Sequence, residues 1–408
     1  MARIAPTNAG HYRAPLAQAL ASSIVPTLRQ LHQGRINTIV SSPDGKLAVS
    51  GSQDGTAVLF DLASLETVRP IPSLYSVAPV TAAAFDPSGG SVLIVSSDGQ
   101  IQVWKPGSGP QWVAHVDGIE AAIFSPDARL VATASSDKTA RLWDLSSGKE
   151  IITILGHTGG VLTLAFSPDG RRLVTGGRDG TARVWDTVTG RELRVLAEHT
   201  KAITAATFSP DGRFLLTGSN DETARIWDLS DEKSNSRKLI GHTSGINAIS
   251  LSADGSRIYV IDFGGNAYIW DFKTAHIIVA SVSVTTENYG LASFGLRGNY
   301  AAIPGKAGVS RVWDADAART ILTLREQKAY PMSAMMWSEQ RLFVGDAAGI
   351  VSAYDLQEHT EPISRLVSRA CKNESFSPRF TWIESATDPL IRQAWDPEGT
   401  ARSVCASD

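Results

Sequence analysis

The chain has 408 residues, of which 43% are hydrophobic, 19% charged and 7% aromatic, and its net charge is -3. This composition is globular and supplies a large core, and the near-balance of charge excludes a nucleic-acid binder that works by electrostatics alone. No apolar run approaches the ~18 residues of a membrane-spanning helix, and the two cysteines, Cys371 and Cys405, both lie near the C-terminus, which excludes a disulfide framework.

Residues 1–21 read as a loose arm. Nothing acidic precedes Asp44, whereas Arg3, Arg13, Arg29 and Arg35 do, a bias shared with transit peptides. The apolar stretch from Leu16 to Val25 is short and broken by Gln18, so the arm is read as a lead into the first strand. The segment SSIVPTLRQL, residues 22–31, stands where later units carry a fourth strand.

From there to residue 356 the chain repeats. In the clearest unit, Gly156 to Asp186, VLTLAF reads as an apolar strand and SPDG as a turn, with Pro168 second and Gly170 last. RLVTGG follows as a second strand, Asp179-Gly180 as a hairpin turn, TARVWD as a third strand and RELRVLA as a fourth. An aromatic residue marks the third strand of each unit: Phe60, Trp104, Trp143, Trp185, Trp227, Trp270, Trp313 and Tyr354, at spacings of 44, 39, 42, 42, 43, 43 and 41 residues. Four antiparallel strands cannot bury both of their faces alone, so the units must stack. A period of ~40–45 residues with four strands per unit is that of a β-propeller. The expected fold is all-β, an eight-bladed β-propeller over residues 22–356, with seven blades as the alternative and residues 22–31 completing the last blade. Beyond it, in residues 357–408, Ile363, Leu366, Val367 and Ala370 stand at helical spacing and predict one short C-terminal helix before an irregular end.

Gly156-His157 with Trp185-Asp186, and Gly241-His242 with Trp270-Asp271, resemble the repeats of the WD-repeat (WD40) β-propeller family, and the C-terminal end is similar to those of bacterial WD-repeat chains. The resemblance implies a buried relay in each unit, from indole N–H to hydroxyl to imidazole to carboxylate. Its members would be Trp185, Thr175, His157 and Asp179 in the fourth unit. Trp143, Thr133, His115 and Asp137 match them in the third, and Trp227, Thr217, His199 and Asp221 in the fifth. The first unit has Ser50, His32 and Asp54, but Phe60 lacks the indole donor. Linking these groups offsets the desolvation of a buried carboxylate and imidazole. Departures are specific: Ser76 replaces the histidine of unit two, Val260 and Gly264 replace the hydroxyl and carboxylate beside His242, Thr285 and Ala307 stand in unit seven, and Ala348 in unit eight. Units six to eight are therefore expected to open more readily than three to five.

Little remains for catalysis. Five of the eight histidines, His32, His115, His157, His199 and His242, fall at the relay position, and no metal-ligand spacing is left. The Asp–His–Thr sets resemble hydrolase triads, yet a triad occurs once beside an oxyanion hole and these recur at fixed spacing. Neither a G-x-S-x-G elbow nor a phosphate-binding loop occurs. No enzyme activity, cofactor or metal site is expected, and Cys371 and Cys405 are read as free thiols.

The resemblance also implies that the residues flanking the start of each first strand, and the residue before each hairpin carboxylate, point onto one face. By position the first set is Arg35, Asn37, Thr81, Glu120, Leu162, Thr204, Asn247 and Asn288, and the second is Gln53, Ser97, Ser136, Arg178, Asn220, Phe263, Lys306 and Ala347. Arg35, Arg178 and Lys306 would make the face modestly basic, with Phe263 as an aromatic anchor. The expected function is a non-catalytic protein–protein interaction scaffold or sensing module in cytoplasmic signalling. It would bind acidic or extended protein segments, with no specific nucleic acid and no membrane. The alternative is a small-ligand or nucleotide sensor at the central channel, and a propeller hydrolase is the remotest reading.

Overall fold

The computed structural model describes residues 26–71, 78–105, 109–114, 118–231, 236–252, 254–279, 293–294, 300–304, 309–314, 319–325, 332–338 and 341–355. The arm, the expected C-terminal helix, and Cys371 and Cys405 lie outside them. Among the described residues there is no helix; strands form eight four-stranded antiparallel sheets.

Local chemistry sets the strands and their turns. In the fourth sheet Val161–Phe166, Arg172–Gly177, Ala182–Asp186 and Glu192–Leu196 pair in sequence order. The first turn closes by a bond from the Gly170 N–H to the Ser167 carbonyl at 2.8 Å, with Gly170 at φ 70, a conformation that glycine adopts without strain. The Ser167 hydroxyl accepts the Arg172 N–H at 2.9 Å and the Asp169 carboxylate accepts the Arg171 N–H at 3.1 Å, so this turn satisfies its own backbone. The last sheet alone breaks the sequence order. Thr27–Gln30 pairs with Ile350–Asp355, Thr27 opposite Ala353 and Gln30 opposite Ile350. A strand from the start of the chain thereby covers the edge that its end would leave open.

The core lies between sheets. Each described cluster straddles two neighbours: Phe60 and Ile36 pack with Phe343 of the eighth sheet, Trp185 with Leu142 of the third, and Trp227 with Val174 of the fourth. In the first six sheets the aromatic repeat is thus an inter-sheet contact, the last residue but one of each third strand filling the gap to the sheet before it. The second strands Leu47–Ser52, Leu130–Ser135, Arg172–Gly177, Phe214–Ser219 and Arg341–Asp346 are buried on both faces and carry glycine or alanine where the next sheet arrives. A methyl group on Gly176 would stand 2.7 Å from Ile203 Cγ2, and one on Gly345 2.7 Å from Ile36 Cγ2. Gly51 and Gly218 meet Val80 and Ile246 in the same way. Outer arginines add clasps: Arg194 donates to the Leu229 carbonyl of the next sheet at 3.1 Å, and Arg237 to the Lys273 carbonyl at 2.8 Å.

Candidate interaction face

Two backbone features gather the same end of the first six sheets. The register shifts between Ile36 and Thr38, which leaves Asn37 bulged out of the ladder; Thr81, Glu120, Leu162, Thr204 and Asn247 are bulged likewise. A bulge re-aims the side chain it carries. Across from it, the residue before the hairpin carboxylate donates its N–H back to the residue ahead of the first strand. These bonds run from Gln53 to Arg35 at 2.7 Å, Ser97 to Pro79 at 2.8 Å, Ser136 to Gly118 at 3.1 Å, Arg178 to Gly160 at 2.8 Å, Asn220 to Ala202 at 2.9 Å and Phe263 to Gly245 at 2.7 Å. The latch brings both sets of residues side by side at one end of the molecule.

Their side chains are not equally free. Glu120 Oε1 accepts from the Ser136 hydroxyl at 2.9 Å and from Arg178 Nη2 at 3.0 Å, joining the third and fourth sheets. Arg178 is therefore ion-paired, and its charge is not the unopposed cation that a basic face requires. Arg35 is half-buried, and its Nε is buried without a hydrogen-bond partner. Asn37 turns inward and donates to the Val80 carbonyl of the next sheet at 2.8 Å. Thr204 does the same to the Ile246 carbonyl. Asn220 is half-buried and Phe263 is 38% exposed. Asn288 and Lys306 lie outside the described residues.

Beneath this face runs the relay. In the fourth sheet Trp185 Nε1 donates to Thr175 Oγ1 at 2.8 Å, which lies 2.7 Å from His157 Nε2, while His157 Nδ1 lies 3.0 Å from Asp179 Oδ2. The fifth repeats it, with Trp227 to Thr217 at 2.9 Å, Thr217 to His199 at 2.8 Å and His199 to Asp221 at 2.9 Å. Trp143 donates to Thr133 at 3.1 Å in the third, whose His115 is outside the described residues, and Asp137 caps the hairpin there through the Thr139 N–H at 2.8 Å. The first unit is wired differently: His32 meets Ser50 at 2.7 Å, but its other nitrogen meets Thr56 Oγ1 at 2.6 Å and stands 3.8 Å from Asp54. Thr56 bridges to Asp54 instead, donating its hydroxyl at 2.6 Å.

Burial pushes His32, His157 and His199 below the ordinary histidine value, against the pull of their aspartates. Burial also opposes ionisation of Asp179, but the Thr181 and Thr158 N–H groups, the Thr181 hydroxyl and His157 outweigh it and hold the carboxyl at about 2. Asp54 and Asp221 are held at about 2 by the same balance. Thr175 and Thr217 are fully buried, so neither hydroxyl meets a substrate. Among the described residues no group of three or more His, Cys, Asp or Glu could hold a metal ion.

The sixth sheet carries what the sequence pattern overlooks. Val260 stands where a hydroxyl would join Trp270 to His242; the Trp270 Nε1 makes no hydrogen bond, and neither His242 ring nitrogen meets a side-chain partner such as His157 and His199 have. The ring instead meets Tyr268 edge-on at 4.7 Å. Burial lowers the His242 pKa, opposed by the Glu222 backbone and Asp262. Asp262, at the end of the second strand and 1% exposed, takes over the hairpin: it accepts the Asn266 N–H at 2.8 Å and the Tyr268 hydroxyl at 3.1 Å. Asp346 does the same in the eighth sheet, accepting the Ala348 and Ile350 N–H groups at 2.8 Å. Both carboxylates sit two residues earlier than Asp179 does in its unit, an offset visible in the sequence at Asp262 and Asp346.

The family model described as WD domain, G-beta repeat matches residues 24–61, 71–105, 109–144, 148–186, 190–228 and 233–271, together more than half of the chain. The seventh sheet and three of the four strands of the eighth lie beyond these matches. Among curated proteins no relative matches the chain. Among solved structures it is similar to the crystal structure of the computationally designed Ika8 protein, at 26% identity and a TM-score of 0.68, covering 79% of this chain and 97% of that one.

Proposed function

The chain belongs to the WD-repeat family, and from that premise we propose that it is a non-catalytic interaction scaffold, an eight-bladed ring that binds other proteins on its latched face. WD-repeat domains generally act in protein–protein interaction. The observation that carries the reading is the repeated latch and bulge. Together they align side chains from successive sheets at one end, while the buried relay beneath holds that end rigid. Preorganised, shallow and chemically varied, such a surface suits an extended protein segment. The pairing of Arg178 with Glu120 favours an extended partner over one chosen for its acidity.

The eight-blade count rests on the eight sheets and on Thr27–Gln30 completing the last. The proposal assigns residues 22–356 to the ring, 1–21 to an arm and 357–408 to a C-terminal segment, and places the protein in the cytoplasm as a signalling component. Affinity capture from native lysate tests it, comparing the wild type with an Arg178→Glu, Phe263→Ala double variant of unchanged melting temperature. Proteins held by the wild type and lost by the variant are the expected result. Identical retention by both forms would overturn the face.

A further inference from the structure

A buried histidine that takes up a proton needs an acceptor for it. His157 and His199 have one, the carboxylates of Asp179 and Asp221 at 3.0 and 2.9 Å. His32 reaches Asp54 through the Thr56 hydroxyl. Among the described relay histidines His242 alone lacks such a link. Gly264 stands at the carboxylate position and Val260 at the hydroxyl, and the ring lies edge-on to Tyr268 at 4.7 Å and tilted to Trp270 at 5.6 Å. His242 is 8% exposed, so this nest is nearly closed to water.

The groups that face the ring come from two sheets. In its own sheet Asp262 has its oxygens engaged. They accept the Asn266 N–H at 2.8 Å, the Asn266 side-chain amide at 3.0 Å, and the Thr243 and Tyr268 hydroxyls at 3.1 Å each. The Asp262 charge acts on His242 through space, without a hydrogen bond. Burial keeps Tyr268 protonated. The hairpin of the fifth sheet contributes the backbone of Glu222, whose own side chain is exposed. Such surroundings suit a neutral ring. Two aromatic neighbours and an engaged carboxylate compensate an imidazolium less than a directly bonded carboxylate does.

We propose that His242 makes the sixth sheet an acid-operated joint: a proton taken up by the buried ring expels it from the Tyr268–Trp270 nest and frees the entry loop, Gly241 to Gly245, from the hairpin. Two bonds hold that loop closed, from the Phe263 N–H to the Gly245 carbonyl at 2.7 Å and from the Thr243 hydroxyl to Asp262. In the fourth and fifth sheets the same acid leaves the imidazolium bonded to its aspartate, so their loops stay in place. The sign follows from burial, which lowers the His242 pKa from 6.5. Above 6.5 the ring is neutral whether the joint is closed or open, and closure is strongest. Closure weakens as pH falls from 6.5 towards the depressed value. The joint works whatever the latched face binds.

Hydrogen–deuterium exchange on the full chain tests this between about pH 7.5 and about pH 5, the range in which histidine titrates, with rates corrected for the intrinsic effect of pH. Amides of Ile246–Leu251 and Arg257–Asp262 are expected to gain exchange about tenfold more than Val161–Phe166 and Arg172–Gly177, or Ile203–Phe208 and Phe214–Ser219. One missing charge-assisted hydrogen bond sets that scale. His242→Phe removes the titrating group. The Val260→Thr, Asp262→Ser, Gly264→Asp triple variant writes into the sixth sheet the pattern of Thr217, Ser219 and Asp221 in the fifth. In both the acid increment is expected to vanish. Circular dichroism melting at neutral pH confirms folding, and either variant alone decides the question. An increment of equal size in all three sheets of the wild type, or one that survives in a folded variant, would overturn the joint.

Discussion

Thr217 is one hydroxyl with two obligations: it accepts the Trp227 indole N–H and donates to the His199 ring, whose other nitrogen is held by Asp221. Thr217→Val keeps the shape and strands a buried donor and a buried acceptor, so a loss of about 1–3 kcal/mol is expected in urea denaturation. The sixth sheet offers the reverse experiment. Val260→Thr places an oxygen between the unpartnered Trp270 Nε1 and His242, and a gain of about 1 kcal/mol is expected by the same measurement. Acid acts on these residues in two stages. Burial lowers the histidines from 6.5, so their contribution is complete above that pH and lost as pH falls through the depressed values. Asp54, Asp179 and Asp221, lowered from 3.8 to about 2, contribute fully above 3.8 and lose that contribution as pH falls towards 2. A melting temperature that falls in two steps with acidification is the expected outcome, and a flat profile down to pH 4 would contradict the first.

The strand pattern is legible at the scale of the element because related turn chemistry recurs at each bend. Ser-Pro-Asp-Gly closes the first bend of units one, four and five through its own side chains, and Asp-Gly the hairpin of units one, two and four, so strand positions follow from punctuation. Small residues in the second strand are legible only in the assembled molecule. Gly218 reads as a weak point in a strand, whereas it is the slot that receives Ile246 of the next sheet. Gly218→Val would force those sheets apart, at a cost of about 1–3 kcal/mol or more, read as a lowered denaturation midpoint. The loss of relay bonds in the sixth sheet has a kinetic reading as well. Amides of Arg257–Asp262 are expected to exchange with deuterium faster than those of Arg172–Gly177 and Phe214–Ser219, their counterparts in the fourth and fifth sheets.

For the whole molecule the decisive pairing joins residues more than three hundred positions apart: Thr27–Gln30 against Ile350–Asp355. Without its outer strand the last sheet presents a row of unpaired N–H and C=O groups. Deletion of residues 1–31 is expected to lower the melting temperature and to cause self-association, seen as a rise in mass by light scattering. A monomer of unchanged stability would show that this closure contributes nothing.

The sequence alone determined the period, the strand and turn alphabet and the family, because all three follow from local chemistry repeated at a fixed interval. It also placed Trp227, Thr217, His199 and Asp221 at matching positions in their unit, though not the distances between them. Only the tertiary structure decided which polar side chains face a partner. Asn37 and Thr38 are neighbours in one strand, yet the first is bulged and bonded to the Val80 carbonyl of the next sheet while the second stays in the ladder opposite Gly51. Arg178 reads in the sequence as a free cation, whereas in the structure Glu120, 58 residues earlier, holds it. A repeat specifies the position of a side chain, whereas its availability depends on the neighbour in the next sheet, which differs from one unit to another.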